Sequence, residues 1–423
     1  MSKTKLASVL LGALLAAAPG LVLHAETATP QSVGLSTERL QRVHELVERN
    51  IAAGEIAGAV TLVARNGQVA YLEAQGVMDL QSKRPMQADS MFRIASMSKP
   101  VAAVAILMLA EEGKVRLTDP VSKFIPAYAN LEVGIVKPAA PGAAPAAQAG
   151  PGAPPPAFYK APATREITVL DLLTHTSGLM SGAMGNSGGN AAFNKRHEMG
   201  LKWTEELGAT PLEFQPGTRW AYSAVAGFDA LAHIVEIASG QEYSAFLQQR
   251  LFGPLGMRDV TFWPSTEQRS RLATVYQRRD GKLTLTDNPD SMSGEKYHGG
   301  GGGIMTTAET YAQFAMMLAN GGELNGARIL SPRTVELMGS EFIPSTLPGR
   351  AAGEGYGLGV RVITDAPARN TWLSDGAFGW SGAYGTHFWV DPKENLVGIL
   401  LAQTSNRALL SDFENAVMQA VVD

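Results

Sequence analysis

The sequence predicts an α+β fold: an antiparallel sheet built from both ends of the chain, flanked by helices, with a mostly helical domain inserted between the two halves. Three observations predict it. Near the start, the apolar runs 60–64 and 69–72 flank Asn66-Gly67, a dipeptide suited to a two-residue hairpin because both central positions need positive φ. Near the end, residues 387–390 and 396–402 flank an Asp391-Pro392 turn in the same way. Between these ends the apolar positions recur with helical rather than strand period.

The elements follow in chain order. Lys3 and Lys5 precede an apolar run over 6–18, and Leu23-His24-Ala25 ends near a small residue, so residues 1–25 are expected to be a cleaved export signal. Pro19-Gly20 interrupts that run well short of the roughly 20 residues a membrane span needs, and the mature chain is expected in the periplasm or outside the cell. Ser36 followed by Glu38 reads as a helix start, with Leu40, Val43, Leu46, Val47 and Ile51 on one face. Residues 138–162 are almost all Ala, Pro, Gly and Gln, which cannot bury enough apolar surface to offset ordering, so a surface loop is expected. Val225, Phe228, Leu231, Val235 and Ala238 form a stripe that stops at Gly240. Thr306 and Glu309 read as a capping box ahead of 311–318, with Asn320-Gly321 ending that helix. After Ser411, Phe413, Val417 and Val421 again have helical spacing. The expected division is a sheet domain from 26–110 and 296–423, and a helical domain over 111–295.

Composition narrows the chemistry. Hydrophobic residues make up 45% and charged residues 17% of the 423, and a net charge of -4 gives no electrostatic footprint for nucleic acid. With no cysteine there is no disulfide, thiol nucleophile, thiolate metal site or lipid-bearing Cys. The 7 histidines are scattered without an HExxH pair, so no metal or other cofactor is expected. The chemistry must come from Ser, Lys, Tyr and backbone.

Ser96-Met97-Ser98-Lys99 is an S-x-x-K pattern ahead of the apolar run 101–109. Residues three apart share a helical face, so Ser96 and Lys99 are expected to point into one site. A serine hydroxyl needs something to take its proton, and an amine can do so when burial moves it towards neutrality. Pro100 lacks the N–H that would bond the Ser96 carbonyl, keeping Ser96 at the helix entrance, where free N–H groups face a developing oxyanion.

Further motifs follow in order: residues 172–179 read Leu-Leu-Thr-His-Thr-Ser-Gly-Leu, then come Tyr222-Ser223, the glycine run 299–303 and Trp380-Ser381-Gly382. Together with Ser96-x-x-Lys99 they resemble the serine β-lactamase and penicillin-binding family, nearest its family VIII carboxylesterase branch, from about residue 30 to the C-terminus. The resemblance implies a β-lactamase-like fold in which Ser96 is acylated and Lys99 and Tyr222 share its proton. It implies an oxyanion hole from the backbone N–H groups of Ser96 and Ala383, and a substrate-binding edge strand at Trp380, Ser381 and Gly382. His175 would belong to a structural turn. Two departures matter: Trp380 stands where lactam- and peptide-cleaving members usually have Lys, and Ala224 where they usually have Asn. The neutral aromatic and the methyl favour an uncharged small-molecule ester over an anionic lactam, and a short chain is expected because the sequence reveals no apolar channel for a longer one.

Two other readings compete. Gly185-Asn186-Ser187-Gly188-Gly189 fits G-x-S-x-G, and His298-Gly299-Gly300-Gly301 mimics an α/β-hydrolase oxyanion loop, but Ser187 lies in an expected loop and the order of the two motifs is reversed. A non-catalytic relative that binds without turnover is the third; the presence of Ser96, Lys99 and Tyr222 together argues against it. Within the family, a β-lactamase or a D-amino-acid peptidase or amidase is the alternative to an esterase.

Overall fold

The computed structural model describes residues 27–138, 155–286 and 289–423. The expected signal 1–25 and the greater part of the Pro/Ala-rich loop lie outside the described residues. The main sheet has seven strands: β1 (Gly58–Arg65), β2 (Gln68–Gly76), β3 (Glu354–Tyr356), β4 (Arg361–Ile363), β5 (Phe378–Gly382), β6 (Thr386–Asp391) and β7 (Leu396–Ala402). Their order is β3-β4-β5-β6-β7-β1-β2, every pairing antiparallel, so the two chain ends meet where β7 pairs with β1. Asn66 and Gly67 close the first hairpin with φ of 54° and 73°, as that turn requires. The second turn is longer than Asp391-Pro392. Asp391 accepts hydrogen bonds from the N–H groups of Lys393 and Glu394, and Asn395 takes the left-handed conformation.

Six helices matter here: α1 (Thr37–Ala52), α2 (Ser98–Glu111), α3 (Ala183–Asn194), α4 (Ala226–Ser239), α5 (Ala308–Ala319) and α6 (Arg407–Met418). The central strands β1, β6 and β7 are buried on both faces, and the side-chain period of two divides them between two cores. Ala59, Val63, Trp389 and Leu400 pack with α1 and α6, while Val60, Leu62, Phe388 and Ile399 face α5 and, beyond it, α2 and α4. That second core continues without a break into the inserted region, where Trp203, Phe228, Tyr243 and Leu251 join it. A small sheet also crosses between the halves, since Val260–Thr261 and Phe92–Arg93 both pair with Met305–Thr306.

Several local expectations are corrected. Thr307, not Thr306, caps α5: its hydroxyl accepts from Thr310 N–H, while Thr306 is taken into a strand and donates to the Asp259 carbonyl. The C-terminal helix begins at Arg407 under an Asn406 cap, and Val421 lies beyond it, bridged to Leu35. Phe158–Pro162 is no loop but a strand paired with Glu132–Val136. Ser187 is not in a loop either. Residues 183–194 form α3 despite their glycines, because Glu213 accepts from the N–H groups of Met184 and Gly185, and the helix packs so closely that a Cβ on Gly189 would lie 2.4 Å from Met180 Sδ. Packing overrides propensity there. Among the described residues no helix is long and apolar enough to cross a membrane.

Candidate active site

Ser96 lies in a 3-10 turn, Ala95–Met97, and α2 proper begins two residues later at Ser98, which corrects the expectation that Ser96 opens the α-helix. The turn is strained: Ala95 has φ of +45°, a conformation costing a non-glycine residue about 1–3 kcal/mol. Surrounding bonds hold it. Ile94 N–H donates to Ile304 O, Thr386 Oγ1 donates to Ile94 O, and Tyr311 Oη donates to Met97 O. Ser98 Oγ accepts from Ile304 N–H.

Lys99 is fully buried, and three oxygens surround its Nζ: Ala224 O and Gly301 O at 2.7 Å each and Ser96 Oγ at 3.3 Å. The carbonyls can only accept, so they fix two N–H groups. The third position of the nitrogen faces Ser96, where either an N–H or a lone pair can meet the hydroxyl. Nζ also lies 4.8 Å from the Tyr222 ring centroid. Half-buried Tyr222 packs against Trp380 with centroids 5.5 Å apart, and Trp380 Nε1 donates a long 3.4 Å bond to its hydroxyl. Thus Ser96, Lys99, Tyr222 and Trp380, apart in sequence, form one contiguous cluster.

The pocket-edge strand is divided by its own pleat. Trp380 faces Tyr222, whereas Ser381, next along β5, turns to the opposite face and hydrogen-bonds His387 on β6. Gly382 presses on the chain ahead of Ser96, so closely that a Cβ there would sit 2.2 Å from Ile94 O. Glycine is therefore obligatory at 382, and exposed Ala383 follows it. The glycine run serves the same purpose. A Cβ on Gly300 would meet Phe228 O at 2.5 Å, and Gly301 offers its carbonyl to Lys99.

Two residues that hold the cluster escaped the sequence reading or were given less than they do. Asp229, fully buried on α4, accepts from Gly301 N–H at 2.9 Å, Tyr297 Oη at 2.6 Å and Trp203 Nε1 at 3.0 Å, thereby setting the loop that holds Lys99. Burial raises its carboxyl pKa against these bonds. Its signal was available: an acid inside the apolar stripe that runs from Val225 to Ala238. His175 brackets Tyr222, its carbonyl accepting from Ala221 N–H and its Nδ1 from Ser223 N–H at 3.1 Å. Burial, then the charges of Lys99 and Arg350, push this imidazole well below its ordinary pKa.

A group depressed in this way stays neutral when folded but takes a proton when unfolded, so its stability contribution is full above about pH 6.5 and is lost as pH falls below it. Per pH unit the loss is about 1.4 kcal/mol. Chemical denaturation at pH 6.5 and 5.5 should show a steeper loss in the wild type than in His175→Gln, by up to about 1.4 kcal/mol. Equal slopes would mean the ring titrates as in water.

Among the described residues no group of three or more His, Asp and Glu could hold a metal ion. Ser187 is exposed in the middle of α3, so it is on no strand-to-helix elbow. Compared with known proteins, residues 43–422 match the family model described as Beta-lactamase. Protein Rv1367c of Mycobacterium tuberculosis is 32% identical over 369 residues, covering 83% of this chain and 86% of that one. Esterase EstB of Burkholderia gladioli is 28% identical over 405 residues, covering 90% and 94%. The solved structure of EstCE1, titled a hydrolase with promiscuous acyltransferase activity, superposes with a TM-score of 0.72 at 25% identity, over 91% of this chain and 99% of that one.

Proposed function

We propose, for a chain that belongs to the beta-lactamase family, that it is a serine carboxylesterase cleaving short-chain, uncharged esters through an acyl-enzyme on Ser96. The observation that carries this reading is the buried Lys99 nitrogen, fixed by two carbonyls with its remaining position on Ser96 Oγ at 3.3 Å. In the proposed reaction Ser96 Oγ attacks the ester carbonyl carbon and its proton passes to Lys99, with Tyr222 sharing it. Backbone N–H groups of Ser96 and Ala383 stabilise the oxyanion. The alcohol leaves with that proton, and water then hydrolyses the acyl group by the same steps in reverse.

Support for an ester over a lactam comes from Trp380 and Ala224, which present an indole and a methyl where charge and amide would meet an anionic substrate, and from the similarity to EstB. The signal pattern over 1–25 supports a place of work in the periplasm or outside the cell.

A fluorophosphonate tests the reading directly. One equivalent should add rapidly to the wild-type chain, and peptide mass spectrometry should place it on Ser96. A wild-type chain left unmodified at Ser96 would sink the proposed mechanism.

A further inference from the structure

Behind the pocket-edge strand stands another serine with the partners of a nucleophile. Half-buried Ser381 on β5 lies opposite His387 on β6, with Oγ 2.8 Å from Nδ1. The other ring nitrogen, Nε2, is 2.9 Å from Oε1 of Glu414 on α6, and Arg361 on β4 donates to that same oxygen at 2.6 Å. His387 and Glu414 are 1% and 4% exposed. Burial alone would raise the Glu414 carboxyl, but Arg361 and His387 outweigh it and bring its pKa down to about 2.

The direction of the chain follows from these partners. An ionised Glu414 only accepts, so Nε2 donates to it, and in the neutral form of the ring Nδ1 is then the acceptor that meets the Ser381 hydroxyl. A serine hydroxyl donating to an imidazole that a carboxylate orients is the arrangement that activates an alcohol for attack. Trp380 and Ser381 face opposite sides of the sheet, so this trio is built on side chains separate from those around Lys99. Along that edge the β4 ladder stops at Gly379, leaving residues 380–382 paired with a strand on the β6 side only.

We propose that Ser381 is a second nucleophilic serine, activated by His387 and Glu414, that takes phosphonyl or acyl groups from small electrophilic esters reaching the strand edge. With a fluorophosphonate, the Oγ–P bond forms as the P–F bond breaks, the hydroxyl proton passes to His387 Nδ1 and fluoride leaves; with a carboxylic ester, the Oγ–C bond forms as the ester C–O bond breaks, and the alcohol leaves with that proton. Ser381 sits in mid-strand rather than at a helix entrance, and one oxyanion donor is worth about 10²–10³ in rate. Arg361 also draws on the carboxylate that would steady the imidazolium. Reaction at Ser381 is therefore expected to be at least about 100-fold slower than at Ser96.

The test uses the full chain with Ser96→Ala, a small alkyl fluorophosphonate and adduct mapping by peptide mass spectrometry. A slow adduct is expected on Ser381, absent from Ser96→Ala/Ser381→Ala and formed at least about 10-fold more slowly in Ser96→Ala/His387→Gln, since a positioned base contributes about 10²–10⁴. No adduct at Ser381 in the Ser96→Ala chain overturns the proposal, as does equal labelling with His387→Gln. Should the His387 variant fail to fold, mapping in the Ser96→Ala chain, where the trio is intact, decides by itself. The outcome is separable from the esterase reading, which stands or falls on the wild-type adduct at Ser96.

Discussion

Ser96→Ala should lower kcat for a p-nitrophenyl ester by at least about 10⁴. Lys99→Ala removes the nitrogen that meets Ser96 Oγ, and also takes the donor from the Ala224 carbonyl and from the buried Gly301 carbonyl. Tyr222→Phe keeps the packing on Trp380 and His175 and removes only the hydroxyl. Each should cost about 10²–10⁴ in kcat, the range for one positioned acid or base. Because these residues act as a unit, Ser96→Ala with Tyr222→Phe should be scarcely worse than Ser96→Ala. Ser187→Ala, on the exposed side of α3, should leave kcat unchanged. Full activity in Ser96→Ala would overturn the mechanism; loss confined to Ser187→Ala would restore the α/β-hydrolase reading.

Short-chain p-nitrophenyl esters should be hydrolysed with kcat/KM at least about 100-fold above that for a chromogenic cephalosporin, corresponding to about 2.7 kcal/mol of transition-state binding. The reason is the wall beside Tyr222. A substrate carboxylate placed there meets an indole edge, whose N–H is already turned to the Tyr222 oxygen, and is desolvated without a countercharge. Neutral esters incur no such cost. Trp380→Lys should narrow the ratio by weakening ester turnover, improving the lactam, or both, because it supplies a cation at the same strand position. A wild-type enzyme equally efficient on the cephalosporin would replace the esterase reading with the β-lactamase one.

Much of the fold is legible in the sequence. Asn66-Gly67 specified a hairpin because the turn needs positive φ at both positions, and Gly240 ended α4 in the left-handed conformation for the same local reason. Ser96, Lys99, Tyr222 and Trp380 could also be singled out, carried by three short motifs, of which Ser96 and Lys99 share one. Boundaries governed by competing neighbours were not: Thr306 and Thr307 are equally good caps by residue type, and the strand pairing that claims Thr306 involves residues 92–93 and 260–261, far away in sequence.

The sequence by itself therefore determined the sheet built from both chain ends, since periodicity and turn chemistry are properties of neighbouring residues, while the candidate site residues were read through the resemblance that their motifs carry. Tertiary structure alone decided how those groups are held. Asp229 sets the Gly301 loop across a contact of 72 positions, and His175 brackets Tyr222 across about the same kind of separation, 48 positions to Ser223. It also decided that Ser381 looks away from Trp380, towards His387 and Glu414. The alternation of a strand is written in the sequence, but which core each face meets depends on which helices pack there, and burial by distant segments sets that.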